Sequence, residues 1–84
     1  MIRVLQITDH LEMGGIQAFL MNLYRNINRD EVQFDFLIFR NTKQWYEDEI
    51  YELGGRIYKA PGRKKGIIKC YKYLNEFFKM HPEY

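Results

Sequence analysis

The stretch from Ile2 to Phe39, IRVLQITDHLEMGGIQAFLMNLYRNINRDEVQFDFLIF, decides the fold. It opens with an apolar run, Ile2 to Thr8, that only Gln6 interrupts within Val4–Ile7. Such a run suits a strand buried on both faces of a parallel sheet. Thr8-Asp9-His10 ends it, and a loop carrying Gly14-Gly15 follows. Ile16, Phe19, Leu20, Leu23 and Ile27 then fall at the i, i+3, i+4, i+7 spacing of an amphipathic helix, which Asn28-Arg29-Asp30 closes. Val32 to Phe39 is rich in β-formers, alternating at first and then continuously apolar, and reads as a second strand.

Beyond that unit the alternation continues. Trp45 to Leu53 reads as a helix with Tyr46, Ile50 and Leu53 on one stripe. Gly54-Gly55 supplies the left-handed stop expected after it. Arg56 to Ala60 is a short third strand ended by Pro61-Gly62. Ile67 to Met80 is a third helix with an expected core stripe of Ile67, Tyr71, Leu74 and Phe78, and His81-Pro82 ends it because a residue before proline disfavours the α region. The order β-α-β-α-β-α predicts a three-layer, Rossmann-like α/β fold with a parallel sheet and helical crossovers, strand order 3-2-1. The sequence stops at Glu83-Tyr84, where the pattern calls for another strand. The expectation is therefore half of a doubly wound sheet, residues 1–84 forming part of a larger domain.

Composition narrows the function classes. Among 84 residues, 46% are hydrophobic, 17% aromatic and 29% charged, an ordinary balance for a globular chain and one that argues against disorder. A net charge of +2 is too mild to announce nucleic-acid binding. One cysteine, Cys70, excludes an internal disulfide and fits a reducing compartment. With two distant histidines, His10 and His81, it builds no metal cluster. No cofactor is called for. The N-terminal apolar run is too short for a signal or a membrane span. These features place the chain in the cytoplasm, with peripheral contact at the inner face of the membrane through its basic cluster.

Ligands of open α/β sheets bind at the carboxyl ends of the strands, where the segment Asp9-His10-Leu11-Glu12-Met13-Gly14-Gly15 lies. Glycines allow close backbone approach, and the start of the next helix offers free N–H groups and a positive dipole end, which suits phosphate. The bland reading of the same residues is a tight turn. Neither G-x-G-x-x-G nor G-x-x-x-x-G-K-[ST] is present, which excludes the usual dinucleotide site and the P-loop.

The apolar strand, the polar loop, Met13-Gly14-Gly15-Ile16-Gln17 and then Phe19-Leu20-Met21-Asn22-Leu23-Tyr24-Arg25-Asn26-Ile27 resemble the N-terminal domain of GT-B glycosyltransferases of family 4, of the bacterial capsule and exopolysaccharide type. Gln33-Phe34-Asp35-Phe36-Leu37, Glu49-Ile50, Leu53-Gly54-Gly55 and Ile57-Tyr58 resemble the same group. The resemblance implies an acceptor-side Rossmann-like domain, facing a second domain that holds a nucleotide-diphosphate sugar. It implies that Gly14 and Gly15 meet the donor diphosphate, and that the acceptor is a saccharide or a polyprenyl phosphate. Members often carry Glu where this chain has Gln17. The paired glutamates of the donor domain, and a histidine after a later strand of the N-terminal domain, lie outside this sequence, so no catalytic residue is assigned and the chain alone is expected to be inactive. The alternative is a non-catalytic α/β module that binds a phosphorylated ligand or a protein partner.

The acceptor-binding candidates are His10, Gln17, Arg63, Lys64 and Lys65. His10 is either a hydrogen-bond donor to a sugar hydroxyl or phosphate, or a loop histidine satisfied by backbone. Glu12 would repel phosphate and is expected to face solvent. Arg63-Lys64-Lys65, with Lys69, Lys72 and Lys79 beyond, is either attraction to a polyprenyl phosphate or anionic leaflet, or a solvated basic loop. Trp45, Tyr46 and Tyr51 are expected to cover the sheet rather than stack on sugars, and Cys70 to be a small buried hydrophobe. The free edge of the first strand predicts self-association of the isolated chain.

Overall fold

A computed structural model describes residues 1–62 and 66–84, with the side chain of Ile67 not described. Three strands, β1 (Ile2–Ile7), β2 (Val32–Ile38) and β3 (Ile57–Lys59), alternate with three helices, α1 (Gly15–Asn26), α2 (Glu47–Glu52) and α3 (Ile67–Met80). The sheet is parallel throughout, in the order β1-β2-β3, which is the expected 3-2-1. Val4 pairs with Phe34 and Leu5 with Asp35 across β1 and β2; Phe36 pairs with Ile57 across β2 and β3.

The alternation of side chains along β2 divides the core into two layers. Phe34, Phe36 and Ile38 pack with Leu11, Met21 and Tyr24 of the first crossover and Ile50 of α2. Leu37, on the opposite face, packs with Ala60 and Phe77, against which Tyr73, Leu74 and Tyr84 also rest. α1 and α2 thus share one face and α3 takes the other. The strand that resembles a buried parallel strand most closely is β2, buried from Gln33 to Ile38.

Three expectations are corrected. β1 is not buried on both faces: Ile2, Val4 and Ile7 are exposed, because β1 has a hydrogen-bonded neighbour on one side only. α1 does not bury Ile16, Phe19 and Leu23; its inner face is Gln17, Met21 and Tyr24, with the exposed apolar residues turned outward. α3 likewise exposes Tyr71 and Phe78 and turns Phe77 inward, with Tyr73 and Leu74 beside it, while Cys70 is only half-buried. Both helices carry apolar residues on more than one face, and ring stacking selects among them. Tyr24 stacks on Phe34 at 5.2 Å, and Phe77 lies 4.8 Å from Tyr58, edge to face.

Polar groups within the layers are matched. The Asp35 carboxylate, fully buried, accepts a two-pronged hydrogen bond from Arg3 at 2.9 and 3.2 Å, the backbone N–H of Arg56 at 2.9 Å, and the hydroxyl of Tyr84. The Tyr24 hydroxyl donates to Oε1 of Gln33, whose amide donates to the Leu53 carbonyl at the end of α2. Gly54 then reverses the chain at φ 97°, the left-handed conformation expected at this stop. At Gly55 a Cβ would lie 2.7 Å from the Phe34 carbonyl and 2.8 Å from the Tyr24 hydroxyl, so α2 and β3 join only where a side chain is absent.

Candidate functional site

The carboxyl ends of β1 and β2 carry two loops that are fastened to one another. Phe39 donates to the Asp9 carbonyl at 3.1 Å and Tyr46 to the Leu11 carbonyl at 3.1 Å. The buried N–H of Leu11 donates to Oε1 of Gln44 at 2.9 Å, and the Gln44 amide donates to the Thr42 carbonyl at 3.0 Å. Leu11 is itself buried in the α1–α2 layer and holds the first loop down. Two side-chain contacts add to this: Arg40 reaches Asp9 at 2.9 Å, and Glu12 accepts the backbone N–H of Trp45 at 3.2 Å. Glu12 is exposed, as expected, and its carboxylate also bridges to the second loop.

Between the loops lies a cleft of about 270 Å³ lined by His10, Glu12, Arg40, Thr42 and Gln44. Nδ1 of His10 accepts the backbone N–H of Glu12 at 3.2 Å, which puts the proton of the neutral ring on Nε2. The ring is thus satisfied by backbone on one side and presents a donor on the other. Among the described residues no group of three or more His, Cys, Asp or Glu could hold a metal ion.

The Gly-Gly segment stands at the same edge. Gly14 is the N-cap of α1 in an extended conformation, and no side chain caps the helix or places an acid in its first turn. The orphan N–H groups of that turn have no protein oxygen supplied to them by a cap, which leaves the positive end of the helix open to an anion. Both glycines are exposed, and a Cβ on Gly15 would meet nothing within 4 Å. Gly14 differs: a Cβ there would come 2.6 Å from Oε1 of Gln17. Its bareness admits the Gln17 side chain, which folds back and donates to Thr8 Oγ1 and to the His10 carbonyl, each at 3.3 Å. Gln17 is accordingly buried beneath the loop and braces it. A glutamate here would have no N–H to make either bond.

His10, Gly14, Gly15 and Gln17 are thus brought together. Arg63, Lys64 and Lys65 lie outside the described residues. Lys59, just before them at the end of β3, pairs with Glu47 at 2.7 Å. Trp45 and Tyr51 do not cover the sheet: both are exposed, Trp45 by 66%, whereas Tyr46 packs on the core. Sequence reasoning passed over Arg40, Thr42 and Gln44. The signal was present in the second βα loop, which in a parallel sheet must sit beside the first. No described helix is long and apolar enough to cross a membrane.

A parallel three-stranded sheet interleaved with helices, with paired loops at its carboxyl edge, makes this a partial Rossmann-like α/β fold. No family model matches the chain, and no solved structure does. The sequence is 44% identical over 59 residues to the Bacillus subtilis (strain 168) protein named "Putative glycosyltransferase EpsF". The aligned part covers 70% of this chain and 15% of that protein. This similarity supports a glycosyltransferase relationship for the chain.

Proposed function

We propose that residues 1–84 are the acceptor-side, N-terminal part of a GT-B glycosyltransferase of the family 4 type. The whole enzyme would transfer a sugar from a nucleotide-diphosphate donor to a saccharide or polyprenyl-phosphate acceptor in cell-surface polysaccharide synthesis. Gly14 and Gly15 meet the donor diphosphate, and His10 and the cleft beside it face the acceptor. Gln17 supports the loop from below. Arg63, Lys64 and Lys65, which follow β3 in the sequence, attract the phosphate of a lipid-linked acceptor at the inner face of the membrane. The observation that carries this reading is the open space over Gly15 at an uncapped helix start, in a chain similar to a protein named as a glycosyltransferase. A diphosphate oxygen would accept from the free N–H groups of the first turn, and a side chain at residue 15 would compete for the open space over it.

The test uses a protein that carries this sequence followed by a donor domain, supplied with radiolabelled nucleotide sugars and a lipid-linked or saccharide acceptor. Transfer is expected, and Gly15→Val should reduce donor use by about tenfold or more, the equivalent of one or two charge-assisted hydrogen bonds. The 84-residue chain alone should transfer nothing. Unchanged donor kinetics in a folded Gly15→Val protein would reduce the loop to an ordinary turn.

A further inference from the structure

The described lining of the cleft beside the Gly-Gly loop, His10, Glu12, Arg40, Thr42 and Gln44, includes no tryptophan, tyrosine or phenylalanine ring. Sugars need more than hydroxyl partners. A pyranose has a rim of hydroxyls and a face of C–H groups, and the C–H face binds an aromatic ring. The chain's single tryptophan sits next to this lining in sequence and is tied to it in space, since Glu12 accepts the Trp45 N–H.

We propose that the indole of Trp45, an exposed residue whose backbone N–H is held by Glu12 of the His10–Glu12–Arg40–Thr42–Gln44 cleft, is the stacking platform for a pyranose ring of the acceptor. This rests on the glycosyltransferase reading and names the acceptor's recognition element within it. Three observations support the assignment. Trp45 is 66% exposed although tryptophan is among the side chains that bury most apolar surface when they pack. The backbone that carries it is fixed at three successive residues: Gln44 is buried and bonded to Leu11, Trp45 to Glu12, and Tyr46 to the Leu11 carbonyl. An exposed ring on a backbone so held loses little freedom when a ligand stacks on it. Finally, the cleft's volume of about 270 Å³ lies just below the range of pockets for drug-sized ligands, which suits one monosaccharide unit. The lining offers both signs of partner to hydroxyls: Glu12 and the Thr42 and Gln44 oxygens accept, while Arg40 and Nε2 of His10 donate.

Because Trp45 is the only tryptophan, the emission of the 84-residue chain reports that residue alone. The chain is titrated with methyl glucoside, methyl galactoside and N-acetylglucosamine, with glycerol as control. A saturable change in Trp45 emission with at least one pyranose, and none with glycerol, is expected. Binding of that sugar to Trp45→Phe, followed by saturation-transfer NMR, should persist. Trp45→Ala, verified as folded by circular dichroism, should bind about 3- to 10-fold more weakly, the worth of an aromatic contact. Emission unmoved by every sugar up to its solubility, or equal binding by Trp45→Ala, overturns the platform. A parallel titration with UDP, read at the amides of Gly14 and Gly15, separates the two readings. UDP binding with a silent Trp45 leaves the glycosyltransferase standing and removes the platform; failure of both removes both.

Discussion

The hydroxyl of Tyr84 hydrogen-bonds to the carboxylate of Asp35, 49 residues earlier and at the middle of the central strand. The same carboxylate holds Arg3 of β1 and the N–H of Arg56 at the start of β3. One buried side chain thus joins all three strands to the end of the chain, on the face covered by α3.

This predicts an unequal response to substitution. Asp35→Ala strands a largely buried guanidinium and should cost about 3–5 kcal/mol, enough to unfold most of a domain this small. Tyr84→Phe removes one hydrogen bond and should cost about 1 kcal/mol. Urea unfolding followed by circular dichroism checks both. Equal, small losses would mean that Asp35 is replaceable by packing.

Stability should fall at alkaline pH through Tyr24. Burial, aided by the charge of Asp35, pushes its hydroxyl up to about 12 from 10.0. The folded state keeps a proton that the unfolded chain releases, so the stabilisation is complete below pH 10 and is lost as pH rises from there toward about 12. The contribution to the slope approaches about 1.4 kcal/mol per pH unit. Tyr24→Phe should be less stable at neutral pH, having lost its hydrogen bond to Gln33, and should lack this part of the alkaline slope. Parallel slopes for the two proteins would refute the assignment.

β1 has a hydrogen-bonded neighbour on one side, and Ile2, Val4 and Ile7 along it are exposed, as are Ile16, Phe19 and Leu23 of α1. An unpaired apolar edge templates pairing with another chain. The 84-residue chain should therefore sediment as concentration-dependent oligomers, and Ile2→Lys combined with Phe19→Lys should shift it toward monomer. A monodisperse wild-type monomer at high concentration would contradict this.

The element order, the parallel sheet and its strand order were legible because β2 is rich in β-formers and ends in a continuous apolar run, and the glycines at 54–55 punctuate the chain where α2 ends. The inner faces of α1 and α3 were not. Residues 19–21, 23 and 24 are all apolar, so periodicity offers two overlapping stripes, and the true one begins with polar Gln17. In α3 the sequence gives no reason to prefer Phe77 over Phe78; contact with Tyr58 decides it. At the site, Gly14, Gly15 and His10 were legible from loop position, while the fastening of the two loops by Leu11 and Gln44 depends on a contact 33 residues apart that no local pattern encodes. Asp35 left a trace, a lone acid within an apolar strand, whose partner Arg3 is the sole cation of β1.

In the proposed function the Gly14–Gly15 backbone receives the diphosphate of a sugar donor. Titration of the isotopically labelled chain with UDP, observed at each backbone amide, tests it most directly. Weak binding is expected, since one helix end supplies only about 0.3–1 kcal/mol from its dipole at an exposed site. The amides of Gly14, Gly15 and Ile16 should shift progressively, uridine alone should not move them, and Gly15→Val should abolish the response while the remaining spectrum stays that of the folded protein. Amides at this loop that stay still while the protein is folded and UDP is in large excess, or that shift equally in Gly15→Val, would contradict the account.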